Sequence, residues 1–519
     1  MSTLPIAVFA LPGVVGVGLW LARLGPRMTR RLGLAVAAAQ VGLAVLMVRA
    51  TAGGDVLVHA FGDWAPPFGI VFVADRLSAL FVLLQSLLLL FTVWTLRPEA
   101  HGERVTGRAL PALFALSFGL TGAFLTGDLF NLFVMFEVVL LASYLLLQVP
   151  GTERSLRAAF PNIAVNLLAS LFFFVGVGVL YAACGTVNLA DLAVRIGEAP
   201  PALRTAGVSM LVVAFGVKAG LVPLLFWLPA TYPSLAGPVA ALFAGMMTKL
   251  GVYALLRTTP LLMRETFLPE LLVWAGGASA LLAVLAALSE YELRRLLGFH
   301  ITSQVGYMVL GLGLMTKAAI AGAVFYLAHH VLVKTALYFV TDELERRNGT
   351  RDLRRMDPGA AGLALAVAFG VAGFSLAGLP PFSGFFAKLG LLRGSFEAAA
   401  WLALIVLVVA SFYTLASMLK IWRFAFYTPP SPPASAAMVA DRPLWPGRTS
   451  LAPLLALVAV SATLALLAGP AYRYAEATAA QILDVDSYVR AVLAAPGRGL
   501  VIGDVGDVGD VGDVGGPLP

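Results

Sequence analysis

Charge is what this sequence has least of. Only 12% of its 519 residues are Asp, Glu, Lys or Arg, while 60% are hydrophobic; a soluble globular chain carries about 25% charged residues. A chain this poor in charge cannot cover a water-facing surface. There is a single cysteine, Cys184, which excludes an internal disulfide, a Cys-based zinc site and an iron–sulfur cluster. Cys184 reads as a small apolar residue near a helix end. No nucleotide-binding loop, nucleophile triad, metal-ligand cluster or haem ligand pair is present, so no cofactor and no metal are expected. The net charge of +7 does not point to nucleic acid, because Arg and Lys concentrate in short loops. No charged segment precedes the first apolar run and no small-residue cleavage site follows it, so that run reads as a retained helix. The abundant glycines lie in apolar segments, where they permit close helix packing.

What is present instead is a succession of apolar runs, each long enough to cross a bilayer as a helix. Candidate spans are 4–22, 32–49, 77–96, 109–126, 129–148, 161–183, 205–221, 236–256, 271–289, 298–315, 318–341, 360–378, 399–424 and 451–469. The expected fold is therefore an all-α polytopic membrane protein with about 14 transmembrane helices. Two short apolar pieces, 222–230 and 382–392, lie beside proline-containing breaks and read as second halves of broken helices. If the N-terminus faces outside, the inside loops hold 20 basic residues, and the outside segments together with the C-terminal tail hold 11. That bias supports the orientation and an even number of spans, with both termini outside.

The four remaining basic residues are all lysines inside apolar segments: Lys218, Lys249, Lys334 and Lys388. With Glu137, alone in NLFVMFEVVLLASYLLL, they make five ionisable groups at membrane depth. Each costs roughly 2.5–3.5 kcal/mol at mid-bilayer if unpaired, about 12–18 kcal/mol together. They must pair, neutralise or meet water, and each outcome suits a proton carrier. Burial disfavours the charged form of a lysine or a carboxylate, whereas an arginine keeps its proton. The deep positions are Lys and the loop positions nearly all Arg.

Glu137 and Lys218 read as a first pair: closed, the lysine keeps its proton; open, the proton moves on. The competing reading is an ion pair that only fixes helix packing. Lys249 lies about eight residues from Arg257 at its helix end, deep for snorkelling, which is its alternative. His329, His330 and Lys334 share one helix, His330 and Lys334 on one face at i, i+4. A histidine with a pKa near ~6.5 relays protons at ordinary pH; packed histidines are the alternative. Lys388 follows the Pro-Pro break and reads as the last group of the chain, or as an interfacial anchor. No other histidine is expected near mid-membrane. Glu290, Glu292, Arg294 and Arg295 read as a solvated linker, and Asp128 as a helix cap.

An internal echo joins the two breaks. KAGLVP (218–223) and LAGLPP (376–381) each end a long apolar helix, 158 residues apart. Helices interrupted by Gly and Pro at matching points of two halves mark repeated transporter folds; chance similarity is the alternative. The repeating GDVGDVGDVGDVGG at the C-terminus lacks collagen's proline and reads as a disordered tail. The 429–446 stretch is proline-rich and reads as a loop, and Asn348-Gly349-Thr350 as a chance sequon.

Five stretches in order carry a family resemblance: GDLFNLFVMFEVVLLASYLL, FGVKAGLVPLLFWLPATYPSLAGPVAALFAGMMTKLGVYALLR, LRRLLGFHITSQVGYMVLGLG, AHHVLVKTALYFV and GLPPFSGFFAKLGLL. They resemble the proton-pumping antiporter-like subunits of respiratory complex I, membrane-bound hydrogenases and the Mrp multisubunit cation/proton antiporters, over about residues 60 to 425. TGDLFNLFVMFEVVLLASY and GTVNLADLAVRI look most like the D-type branch of the Mrp subunits. The resemblance implies fourteen helices with two inverted five-helix repeats, each with a broken helix, and a central polar axis. It implies that Glu137, Lys218, Lys249 and Lys388 match the family's helix-five Glu and its lysines on helices seven, eight and twelve. His329, His330 and Lys334 match the segment linking the halves.

The organisation expected is therefore 1–108, three N-terminal helices; 109–258, first repeat; 259–427, second repeat; 428–470, a loop and the last helix; and 471–519, a tail. The expected function is H⁺ translocation in exchange for Na⁺ or another monovalent cation, as a non-enzyme subunit of a Mrp-type complex in the cell membrane. Its expected partners are the A, B, C, E, F and G type subunits and the lipid bilayer. The alternative is a proton-pumping subunit of a redox complex, either an NADH–quinone oxidoreductase or a membrane-bound hydrogenase. A further alternative is an inert scaffold for partner subunits.

Overall fold

In a bilayer each backbone N–H and C=O must find its partner within the chain, so apolar runs become helices. The computed structural model describes residues 3–22, 24–428 and 450–495. Its helices of nine residues or more are α1 Leu4–Leu21, α2 Pro26–Thr51, α3 Arg76–Thr95, α4 Glu103–Leu125, α5 Leu129–Gln148, α6 Glu153–Cys184, α7 Pro201–Ala219, α8 Gly237–Thr258, α9 Leu268–Ser289, α10 Leu293–Gly313, α11 Lys317–Asn348, α12 Leu363–Ala377, α13 Ser383–Glu397, α14 Trp401–Trp422, α15 Ala452–Leu466, α16 Ala468–Leu483 and α17 Val485–Leu493.

Among the described residues, twelve of these are long and apolar enough to cross a membrane, namely all but α12, α13 and α15–α17. Twelve of the fourteen sequence-expected spans fall on them. The other two fall on α12, with 15 residues, and on α15, which meets α16 at a 77° bend. The chain is an all-α polytopic membrane protein. α8, α10 and α11 form its centre: the best apolar window of α8 is 100% buried, against 28% in α1 and α2. The outer helices turn Trp20, Phe160 and Phe412 outward, the placement a lipid environment requires.

Both breaks end in the same backbone motif. Gly220 has φ 73° and Gly378 φ 88°, the left-handed region that suits a residue without Cβ. Leu221 N–H donates to Gly216 O, and Leu379 N–H to Phe374 O, while the two glycine amides donate to Val217 O and Ser375 O. These are Schellman closures, so the KAGLVP and LAGLPP echo is one of backbone geometry as well as letters. Beyond the closures the halves differ. Residues 383–397 continue as α13, but of 222–230 only Trp227–Thr231 is helical, with 222–226 in turns. The expectation of a helical second half at 222–230 is corrected accordingly; Pro223 has no N–H to continue a helix.

The expected tail from 471 is also corrected. α16 buries Ala468, Ala475, Thr478, Ala479 and Ile482 on one face, and α17 follows it. Charged residues interleave with that apolar face, so no uninterrupted run advertised it. The 429–446 loop, Arg448 and the C-terminal repeat lie outside the described residues, as does Arg23. A hairpin that the apolar runs did not announce, β1 Leu57–Ala60 with β2 Val71–Ala74, pairs antiparallel from Leu57↔Ala74 to Ala60↔Val71. Tyr474 Oη donates to Arg76 O (2.9 Å) and Gln481 Nε2 to Gly54 O (3.0 Å), tying α16 to the end of the bundle beside this hairpin.

Candidate functional site

α5 starts where Asp128 caps it, its carboxylate accepting from Asn131 N–H at 2.7 Å. Burial pushes the Asp128 carboxyl up to about 6. About two turns on, half-buried Glu137 accepts a hydrogen bond from Ser170 Oγ of α6. Lys218, on the last turn of α7, is buried and its Nζ has no hydrogen-bond partner. It lies 5.9 Å from the centroid of the Phe136 ring. Glu137 is the carboxylate whose field reaches it, yet no ion pair joins them among the described residues. The sequence-expected pair is open here, with Glu137 held by a hydroxyl and Lys218 by none.

The next groups lie where α8 and α11 cross. Gly245 lets them meet: a Cβ there would stand 2.5 Å from Thr335 Oγ1 and 2.2 Å from Leu88 Cδ2. Lys249 is fully buried and donates to Ala244 O at 3.0 Å and Thr248 Oγ1 at 3.3 Å, so it does not snorkel. The helix it sits on packs against α11, which carries Lys334 and His330. Lys334 Nζ and both ring nitrogens of His330 are buried without a hydrogen-bond partner. An unpaired buried polar atom is costly. Three such atoms one turn apart on a single helix mark a place for water or for a moving proton.

The second break holds the last two groups. His329 Nδ1 lies 2.9 Å from Ser383 Oγ, which is 3.2 Å from Ser375 Oγ across the break. Lys388 Nζ donates to Ala377 O at 2.7 Å, a carbonyl that the end of α12 leaves free. Lys388 also stands 5.3 Å from the Tyr307 ring centroid.

The sequence reading missed one member. His300 lies two turns inside α10, fully buried, with Nε2 2.8 Å from Ser417 Oγ and Nδ1 unpartnered. Helix α10 begins five residues before the apolar run at 298, which moves His300 from the expected span's edge into its body. Two groups of charges read as loop residues are also buried. Arg294 is no solvated linker: it donates to Glu345 at 2.7 Å, Leu235 O at 2.7 Å and Asp342 at 3.3 Å. Arg346 and Arg351 complete that network through Asp342 (3.0 Å) and Glu345 (3.3 Å). At the opposite end Arg257 makes a two-pronged pair with Asp75, at 2.6 and 2.8 Å, against the ring of Tyr488 from α17. The pairs of Arg257 with Asp75 and of Arg294 with Asp342 and Glu345 link residues far apart in sequence and close the two ends of the bundle.

Residues 126–414 match the family described as NADH:quinone oxidoreductase/Mrp antiporter, transmembrane. The chain is 40% identical to the D subunit of a Na⁺/H⁺ antiporter of Alkalihalophilus pseudofirmus over 447 residues, covering 84% of this chain and 88% of that one. It is 35% identical to the D subunit of a probable K⁺/H⁺ antiporter of Rhizobium meliloti, covering 88% and 90%. The chain belongs to this antiporter family. Its structure superposes on a chain of the Mrp complex from Dietzia sp. DQ12-45-1b with a TM-score of 0.86 at 33% identity, covering 95% of this chain and 99% of that one. The segment that matches the antiporter family holds every group from Glu137 to Lys388.

Proposed function

We propose that this chain is the D-type proton-translocating subunit of a multisubunit Mrp cation/proton antiporter. It moves H⁺ along Glu137, Lys218, Lys249, Lys334, His330, His329 and Lys388, in exchange for Na⁺ or another monovalent cation. The observation that carries the reading is the row of buried lysines and histidines running from one broken helix to the other. In it Lys218, Lys334 and His330 have nitrogens with no hydrogen-bond partner. The activity is that of a secondary transporter subunit rather than an enzyme, and its partners are the other subunits of the complex. The names of the relatives favour antiport over a redox-driven pump. That two relatives are named for different cations, Na⁺ and K⁺, leaves the coupling ion to experiment.

In this reading the chemistry is proton hand-over between groups that cannot all stay charged at once. When Glu137 swings to Lys218 the ammonium is held; when Glu137 bonds Ser170, as here, the lysine is released to pass its proton toward Lys249. The chain sits in the cell membrane with both termini outside, an orientation supported by the loop-charge bias. We further assign 109–258 and 259–427 as the two inverted repeats, after three N-terminal helices in 1–108. The twin Schellman closures, one in each segment, support this division. The test is ΔpH-driven exchange in everted vesicles carrying the full complex, with Na⁺, K⁺ and Li⁺ added in turn, with and without Glu137→Ala. Collapse of exchange in an assembled complex supports the reading. Exchange at the wild-type rate makes Glu137 a packing residue and moves the ion route to a partner chain.

A further inference from the structure

We propose that α10 and α14 form a hydroxyl–imidazole ladder that carries protons between Lys388 and the membrane face at Glu290 and Lys420. The inference rests on the proton-translocating reading above and adds to it an access route with named residues.

On α10, His300, Gln304 and Tyr307 are spaced i, i+4, i+7 and share one face. On α14, Ser411, Thr414 and Ser417 recur at every third position along a stripe that winds slowly around the helix, and Lys420 lies one step beyond it. The two faces meet rung by rung in opposite directions. His300 Nε2 is 2.8 Å from Ser417 Oγ, Gln304 Nε2 is 3.4 Å from Thr414 Oγ1, and Tyr307 Oη is 3.0 Å from Ser411 Oγ. Thr414 and Ser417 are fully buried, as are all three α10 residues to within 1%. α14 is otherwise an outer helix facing lipid, so a buried polar stripe on it needs a reason. Successive rungs rise about 4.5–6 Å along the helices, a gap one bridging water spans.

Both ends of the ladder lie beside ionisable groups. At one end Lys388 lies over the Tyr307 ring. Tyr326 branches from the middle: its hydroxyl donates to Gln304 Oε1, and its ring lies 5.6 Å from that of His329 and 6.5 Å from that of His330. At the other end Lys420 Nζ donates to Leu288 O (2.7 Å) and Glu290 O (2.6 Å), where α9 turns into α10.

The transfer balances along the α14 hydroxyls, joined step to step by one bridging water each. A proton taken at His300 Nδ1 is matched by release of the proton on Nε2 to Ser417 Oγ, whose own hydroxyl proton passes on. Each hydroxyl accepts one proton and gives one. Gln304 does not relay; it positions Tyr326 against the ladder.

The experiment uses the assembled complex in everted vesicles, with rates expressed per complex. His300→Gln keeps a donor beside Ser417 but cannot relay, and is expected to lower exchange about a hundredfold. Thr414→Val removes one hydroxyl at equal volume and is expected to lower it as well, while Thr414→Ser runs at the wild-type rate. A merely structural role would let His300→Gln keep full activity. Where His300→Gln does not assemble, the Thr414 pair decides the same question. Lys218→Ala serves as the control. If Lys218→Ala abolishes exchange while His300→Gln and Thr414→Val retain the wild-type rate, the ladder is overturned and the parent reading stands. If Lys218→Ala also retains the wild-type rate, both fall.

Discussion

The two broken helices carry one lysine each, and the lysines are held in opposite ways. Lys218 stands before its break, with a nitrogen that bonds to nothing and a single carboxylate, Glu137, whose field reaches it. Lys388 stands after its break and bonds Ala377 O, a carbonyl the break itself exposes. At the first break an indole braces the closure two residues earlier in the motif: Trp227 Nε1 donates at 3.0 Å to Val217 O, which also accepts the Gly220 amide. The breaks thus share a backbone motif and diverge in what covers it. A lysine satisfied by backbone needs no counter-charge, whereas an unsatisfied one answers to whatever acid approaches. In this account the first break is where charge is switched and the second is where it is passed on.

Arginine at either lysine is the strongest way to break that comparison. A guanidinium keeps its proton, so Lys218→Arg and Lys388→Arg are each expected to slow ΔpH-driven exchange about a hundredfold, measured per assembled complex. Exchange near the wild-type rate in either would remove that lysine from the path.

Leucine should separate the two sites by stability. Lys388→Leu strands the Ala377 carbonyl, a loss of about 1–3 kcal/mol. Lys218→Leu removes a buried charge with no bonded partner and should cost nothing or stabilise. Thermal unfolding of the purified complexes checks the order, and equal losses would refute the difference drawn here. Trp227→Phe keeps the ring but not the N–H. It should cost about 1 kcal/mol by the same measurement, with exchange retained, because the indole holds the break and moves no proton.

The smallest effect is expected at Asp128. Its carboxyl is raised to about 6 by burial, so the folded state prefers the protonated form. The charge then costs stability progressively as pH rises from the ordinary carboxylate range through about 6. Asp128→Asn keeps a capping acceptor. It should match the wild type at pH below ~4 and exceed it slightly at pH above ~6, read as the difference in melting temperature.

Much of this architecture was legible from letters alone, and the failures have common causes. Apolar runs marked the spans because the bilayer leaves no other secondary structure for them. Glu137 and the four lysines stood out because a charge inside such a run is rare. α16 and α17 escaped because their apolar residues sit on one face among charges. His300 escaped because α10 begins ahead of its apolar run. Arg257 and Arg294 looked like loop charges because their partners, Asp75, Asp342 and Glu345, lie 48 to 182 residues away, beyond any local spacing rule. The polar stripe of α14 was hidden for another reason. Serine and threonine every third residue barely lower hydropathy, and only the facing helix shows what they meet.

The central claim is that protons crossing this chain pass through Lys218. The direct measurement is ΔpH-driven cation exchange by the assembled complex carrying Lys218→Ala. The account predicts that exchange is abolished while the complex still assembles. Exchange at the wild-type rate would contradict it.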